Sequence, residues 1–139
     1  VEVDRDSLLQ ADPLLANEHE AGLILDQFGL PAQGAPRELA HRLVEAGFRS
    51  VVLTLGAHGA YVATPEGGTD IPTPRVTAVD TTGAGDAFDG AFCAQLLAGA
   101  SLVDAATFAA RVGAFAATGN GAQPSYPTTA STLPEVTNA

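Results

Sequence analysis

The 139-residue chain contains no lysine, methionine or tryptophan, and it has a single cysteine, Cys93. One cysteine excludes an internal disulfide and a zinc site built from several cysteines. A P-loop needs a lysine that contacts the nucleotide phosphates, so the missing lysine excludes a Walker-type nucleotide site. Cys93 stands in an apolar stretch with helical spacing, and we predict that it is a thiol of the hydrophobic core rather than a nucleophile.

Positive charge is scarce as well. The formal net charge is -10 at pH 7, and the six basic residues are arginines spaced singly along the chain. A surface that binds nucleic acid or an anionic membrane needs clustered basic residues, and no apolar run approaches the roughly 18 residues of a membrane-spanning helix. We therefore expect no nucleic-acid partner, no membrane partner and a cytoplasmic location, and we leave a homodimer open.

Hydrophobic residues, by contrast, make up 46% of the chain, which is enough for one buried core. The chain starts at Val1 and lacks methionine throughout. Because natural reading frames rarely begin with valine, we interpret residues 1–139 as a portion of a longer protein.

Periodicity and turn residues predict strands that alternate with helices. Apolar or β-branched runs predict strands at 14–16, 50–56 and 60–64, and a turn at 65–69 leads into an extended stretch at 70–80. Helical spacing predicts helices after Asn17, from Pro36 to Gly47, over 83–99 and from Leu102 to about Thr118, the last one in the interior. This order indicates an α/β domain that binds ligands at the carboxyl ends of its strands.

The stretch DTTGAGDAFDG at 80–90 joins a predicted strand to a predicted helix. Gly83 and Gly85 permit a sharp turn, and the helix that starts there presents unpaired N–H groups that suit an anion. Asp86 has two interpretations: a base beside that anion, or an acid that complements the dipole of its own helix. A dinucleotide fingerprint would need glycine where Phe88 stands. An anion hole beside a carboxylate is what phosphoryl transfer requires.

Four segments carry a resemblance to a known family. VDTTGAGDAFDGAF at 79–92 resembles the C-terminal signature of the ribokinase-like (PfkB) carbohydrate kinases, and NEHEA at 17–21 is similar to their N-x-x-E element. LTLGAHGAYV at 53–62 resembles their nucleotide-side strand, turn and strand, and NGAQPS at 120–125 resembles a loop of the ribose-phosphorylating branch. The resemblance implies the C-terminal portion of a ribokinase-like three-layer αβα sandwich, without the N-terminal half and lid.

The activity implied by the resemblance is ATP-dependent phosphorylation of a sugar hydroxyl, with D-ribose 5-phosphate as the expected product. Asp86 matches the general base, and the backbone N–H groups of Gly83, Ala84 and Gly85 match the hole for the γ-phosphate. Further matches concern the cofactors: Asn17 and Glu20 for Mg²⁺, Thr54 and Gly56 for ATP, and Asp80, Thr82, Ala116, Gly121 and Ser125 for K⁺.

Other interpretations stay open. From the residues alone, Asn17 and Glu20 could equally form a helix cap, and the loop after the last helix could be an ordinary helix ending. Another PfkB kinase, for fructose or a nucleoside, and a non-catalytic nucleotide-binding module are the alternative functions. A module that only binds needs no base, so Asp86 favours the kinase. Because the family's N-terminal half supplies most sugar contacts, we expect this chain alone to be catalytically incomplete.

Overall fold

The computed structural model describes residues 5–76 and 83–118. Along the chain the elements are α1 (Arg5–Leu8), β1 (Leu14–Asn17), α2 (Glu18–Gln27), α3 (Pro36–Ala46), β2 (Val51–Thr54), a 3₁₀ turn (Gly56–His58), β3 (Ala60–Thr64), β4 (Gly67–Ile71), α4 (Ala84–Leu97) and α5 (Leu102–Ala117). They form two compact units. Of the described residues, the first unit holds 5–55 and 60–70, and the second holds 56–59, 71–76 and 83–118.

The first unit is built on a sheet with the strand order β1-β2-β3-β4. β1 and β2 are parallel, because α2 and α3 form the crossover that parallel strands require. β2 and β3 are antiparallel. The predicted turn at 65–69 was too long, since β4 already begins at Gly67. Gly67 has φ +145°, so the chain completes the turn at this glycine and the strand resumes at once.

The core of the first unit lies between this sheet and the helices α2 and α3. Its fully buried members include Leu25, Leu43 and Leu53. The rings of Phe28 and Phe48 stack within the same cluster, with their centroids 5.8 Å apart. Strands covered by amphipathic helices confirm the predicted α/β fold class.

The second unit is dominated by the helix pair α4 and α5. Ala87 of α4 packs against Val112 and Ala116 of α5. Ser101 caps α5 by accepting a hydrogen bond from the Asp104 N–H at 3.1 Å. Most of the circumference of α5 is buried, which confirms the predicted interior helix. No helix within residues 5–76 and 83–118 has the length and apolar character needed to cross a membrane.

The prediction for Cys93 was wrong, because its side chain is exposed. The buried residues of α4 are Ala87, Phe88 and Phe92. Cys93 follows Phe92 by one residue, which turns it by about 100° around the helix axis and away from that face. Apolar residues occupy nearly all sides of α4, so periodicity did not indicate which side is packed.

Candidate active site

The carboxyl ends of β1 and β2 bring two of the predicted site residues together. Asn17 and Thr54 are the last residues of these parallel strands and are Cα partners in their register. The Thr54 hydroxyl donates a hydrogen bond to the Ala16 carbonyl oxygen at 3.5 Å. Ligands of α/β sheets bind outside the carboxyl ends of the strands. The first unit therefore presents both polar side chains at the edge where a nucleotide is expected.

Asn17 and Glu20 form a complete capping box at the start of α2. The Glu20 N–H donates to Asn17 Oδ1 at 2.8 Å, and the Asn17 N–H donates to Glu20 Oε1 at 3.0 Å. The helix-cap interpretation is thus confirmed for both residues. The cap uses only one carboxylate oxygen of Glu20, Oε1, and the second oxygen, Oε2, takes no part in it. Both residues are exposed, so the cap holds a carboxylate in place at the surface.

The oxygen atoms of Asn17 and Glu20 at the start of α2 are chemically suited to magnesium. Mg²⁺ prefers oxygen ligands, keeps several waters and is usually held by one or two carboxylates together with substrate phosphates. Across the two described stretches, no group of three or more His, Cys, Asp or Glu side chains is placed to hold a metal ion. A single fixed carboxylate, Glu20, beside the amide of Asn17 fits a metal that takes most of its ligands from a nucleotide and water.

The turn Gly56–His58 follows β2 and is closed by a hydrogen bond from the Gly59 N–H to the Gly56 carbonyl oxygen at 3.1 Å. Gly56 and Gly59 have φ values of +58° and +88°, which favour glycine. A Cβ on Gly59 would collide with the Ile71 carbonyl oxygen. Sequence reasoning missed Gly59, although the two glycines that frame GAHG were a visible signal.

The N-terminus of α4 has the geometry of an anion site. Gly83 is the N-cap residue with φ +82°, and the first helical hydrogen bond runs from the Ala87 N–H to the Gly83 carbonyl oxygen at 2.9 Å. The N–H groups before Ala87 consequently have no acceptor within the helix. No described atom lies within 4 Å of the position that a Cβ on Gly85 would take. Asp86 is exposed in this first turn, so a carboxylate and backbone donors that have no acceptor within the helix share one helix end.

The predicted potassium ligands fall mostly outside the described residues, namely Asp80, Thr82, Gly121 and Ser125. Ala116 lies in the last turn of α5, where its side chain is buried against Ala87. Only its carbonyl group is thus available to an ion. At this helix end the Thr118 N–H donates a hydrogen bond to the Phe115 carbonyl oxygen at 3.1 Å.

A sequence profile described as pfkB family carbohydrate kinase matches residues 2–129. The chain belongs to the pfkB family of carbohydrate kinases. Among its pfkB relatives, ribokinase of Schizosaccharomyces pombe is 39% identical over 117 residues, which are 82% of this chain and 37% of that protein.

Solved structures agree with this assignment. Ribokinase of Thermotoga maritima superposes with a TM-score of 0.80 at 33% identity, over 90% of this chain and 42% of that one. Fructokinase of Vibrio cholerae O395, solved with fructose, ADP and a calcium ion, gives 0.74 at 31% identity, over 90% and 41%. The predicted family and the ribokinase-like fold are confirmed. The chain spans about two fifths of the length of these pfkB proteins.

Proposed function

We propose that residues 1–139 are the nucleotide-binding and catalytic portion of an ATP-dependent sugar kinase that converts D-ribose into D-ribose 5-phosphate. The observation that carries the proposal is the first turn of α4, where exposed Asp86 stands beside backbone donors that have no acceptor within the helix. Membership of the pfkB family supports sugar phosphorylation. The segment NGAQPS at 120–125 and the similarity to two ribokinases favour ribose.

In the proposed reaction, the Asp86 carboxylate accepts the proton of the sugar hydroxyl while that oxygen attacks the γ-phosphorus of ATP. The bond from the γ-phosphorus to the bridging oxygen breaks, and the electron pair leaves with ADP. The N–H groups of Gly83, Ala84 and Gly85 donate hydrogen bonds to the transferred group, and the helix dipole adds roughly half a positive charge at that end. The carboxylate thus activates the nucleophile while the backbone stabilises the charge on phosphorus.

The proposed enzyme binds its nucleotide with residues at, and just after, the carboxyl ends of β1 and β2. Thr54 at the end of β2 and Gly56 in the following turn contact ATP. Glu20, held by its cap with Asn17, would hold Mg²⁺, which when bound neutralises charge on the phosphates. Potassium, held by Asp80, Thr82, Ala116, Gly121 and Ser125, would add to the positive field, which a chain without lysine otherwise draws from backbone dipoles.

A fructose kinase is the second candidate. This chain matches 41% of the fructokinase that was solved with fructose and ADP, and 42% of the ribokinase structure. The two candidates share the chemistry of Asp86 and differ in the sugar. Rates with D-ribose and D-fructose as alternative acceptors for the full-length kinase decide between them.

The test of the proposed chemistry is Asp86→Asn in the full-length kinase. Removing a positioned general base should lower kcat by about 10²- to 10⁴-fold and leave the KM for ATP nearly unchanged. The matched control is Asp104→Asn, because Asp104 is the first-turn acid of α5 and interacts with a helix dipole in the same way. If kcat of Asp86→Asn stayed near that of the control, Asp86 would be a helix-dipole residue only.

A further inference from the structure

We propose that Gly59 is a positioning residue for ATP, because it lets the backbone of Ile71 and Pro72 support the nucleotide turn, Gly56–Gly59, from a distant part of the chain. The role rests on the proposed function, since Gly56 is taken there as an ATP contact. Gly59 itself touches no substrate in this proposal. It acts through the position of the turn that it closes.

Two independent features require glycine at position 59. Its φ of +88° is a conformation that residues with a side chain adopt at a cost. In addition, a Cβ would collide with the Ile71 carbonyl oxygen and lie 3.1 Å from the Ile71 carbonyl carbon and 3.2 Å from that of Pro72. These are backbone atoms, which cannot rotate aside as a side chain can. Gly68 shows the contrast, since a Cβ there meets the Tyr61 hydroxyl at the end of a side chain.

The nucleotide turn belongs to the same compact unit as Ile71 and Pro72, which support it, and not to the unit of its flanking strands. β2 and β3 belong to the first unit, whereas residues 56–59 belong to the second unit together with Ile71 and the residues after it. Within that unit, the Thr73 hydroxyl donates to the Ala110 carbonyl oxygen of α5 at 3.5 Å. The segment that supports the turn is therefore tied to a buried helix.

Helix α5 also supports the turn at residues 83–86, which contains Asp86. A Cβ on Gly113 of α5 would lie 3.3 Å from the Ala84 carbonyl oxygen at the start of α4. The turn 56–59, proposed to contact ATP, and the turn 83–86, proposed to bind the γ-phosphate, are thus both supported by contacts that lead to α5. A shift of the nucleotide turn relative to its support would change the ATP site and leave the Asp86 turn on its own contacts.

The direction of that shift follows from burial. Ile71 is 2% exposed, while residues 56–58 are exposed. A side chain at position 59 would therefore displace the exposed turn rather than the buried strand end. Small displacements of positioning groups are costly for binding and catalysis, and here the loss concerns ATP and not the sugar.

The experiment is Gly59→Ala in the full-length kinase. We expect the KM for ATP and the calorimetric Kd for ADP to rise by about tenfold or more, with kcat at saturating ATP and the KM for sugar within about threefold of wild type. The matched control is Gly67→Ala, where φ is +145° and no described atom lies within 4 Å of the added Cβ. It introduces the same residue at positive φ without the collision, and it should leave the KM for ATP unchanged.

Thr73→Val tests the same proposal if Gly59→Ala is not recovered as folded protein. It removes the hydrogen bond to Ala110 and should raise the KM for ATP by about two- to threefold, in line with the loss of one hydrogen bond. Unchanged KM for ATP and Kd for ADP in folded Gly59→Ala, or in Thr73→Val where the first variant does not fold, overturns the proposal. An equal rise in Gly67→Ala overturns it too. A wild-type kinase that phosphorylates no sugar contradicts the proposed function instead.

Discussion

Replacing Glu20 with glutamine separates the two roles assigned to this residue. Glutamine can accept the same hydrogen bond from the Asn17 N–H that Glu20 Oε1 accepts at 3.0 Å, and it serves in capping boxes as glutamate does. The variant keeps the cap and loses the negative charge. Glu20→Ala loses both, and Asn17→Asp keeps a side-chain acceptor for the Glu20 N–H.

The stability terms differ between the variants. Glu20→Gln loses its charge interaction with the helix N-terminus, which is worth about 0.3–1 kcal/mol at an exposed position. Glu20→Ala loses in addition a hydrogen bond of about 0.5–1.5 kcal/mol. Unfolding free energies should therefore rank wild type above Glu20→Gln, and Glu20→Gln above Glu20→Ala.

The expected effect on magnesium binding differs from the stability ranking, because it is the same for Glu20→Gln and Glu20→Ala. If Glu20 helps to hold Mg²⁺, both substitutions should weaken the apparent magnesium affinity by at least about 10- to 100-fold, since that is the usual loss when even an outer-shell partner of a metal site is removed. The assay is the initial rate of ADP release by the full-length kinase, titrated with Mg²⁺ at fixed ATP, beside urea unfolding of each variant without nucleotide. A wild-type magnesium curve for Glu20→Gln would refute the metal role and leave Glu20 as a cap.

Two further predictions concern the potassium site and the core. The full-length kinase should be activated severalfold by K⁺ over Na⁺, and Asp80→Ala should abolish the activation; equal rates in potassium and choline buffers would refute this site. Phe48 is 1% exposed and stacks on Phe28, so Phe48→Ala should lower the free energy of unfolding by about 3–5 kcal/mol in urea titration. A loss below about 1 kcal/mol would contradict its burial in the core.

Features that depend on a few neighbouring residues were predicted from the sequence. The spacing of Asn17 and Glu20 predicted the capping box, because both hydrogen bonds close within four consecutive residues. Ser101 predicted the start of α5 and Gly47 the end of α3 for the same reason. The glycines before Asp86 predicted the turn into α4, since a left-handed N-cap residue is a local requirement.

The tertiary structure alone decided which of these local features meet. Parallel pairing places Asn17 beside Thr54, and this register depends on how α2 and α3, which connect the two strands, pack against the sheet. The approach of Gly59 to Ile71 depends on where β4 ends. The packed side of α4, which leaves Cys93 exposed, depends on α5. Each of these contacts joins residues that are distant in sequence, and neither local propensity nor hydrophobic periodicity contains that information.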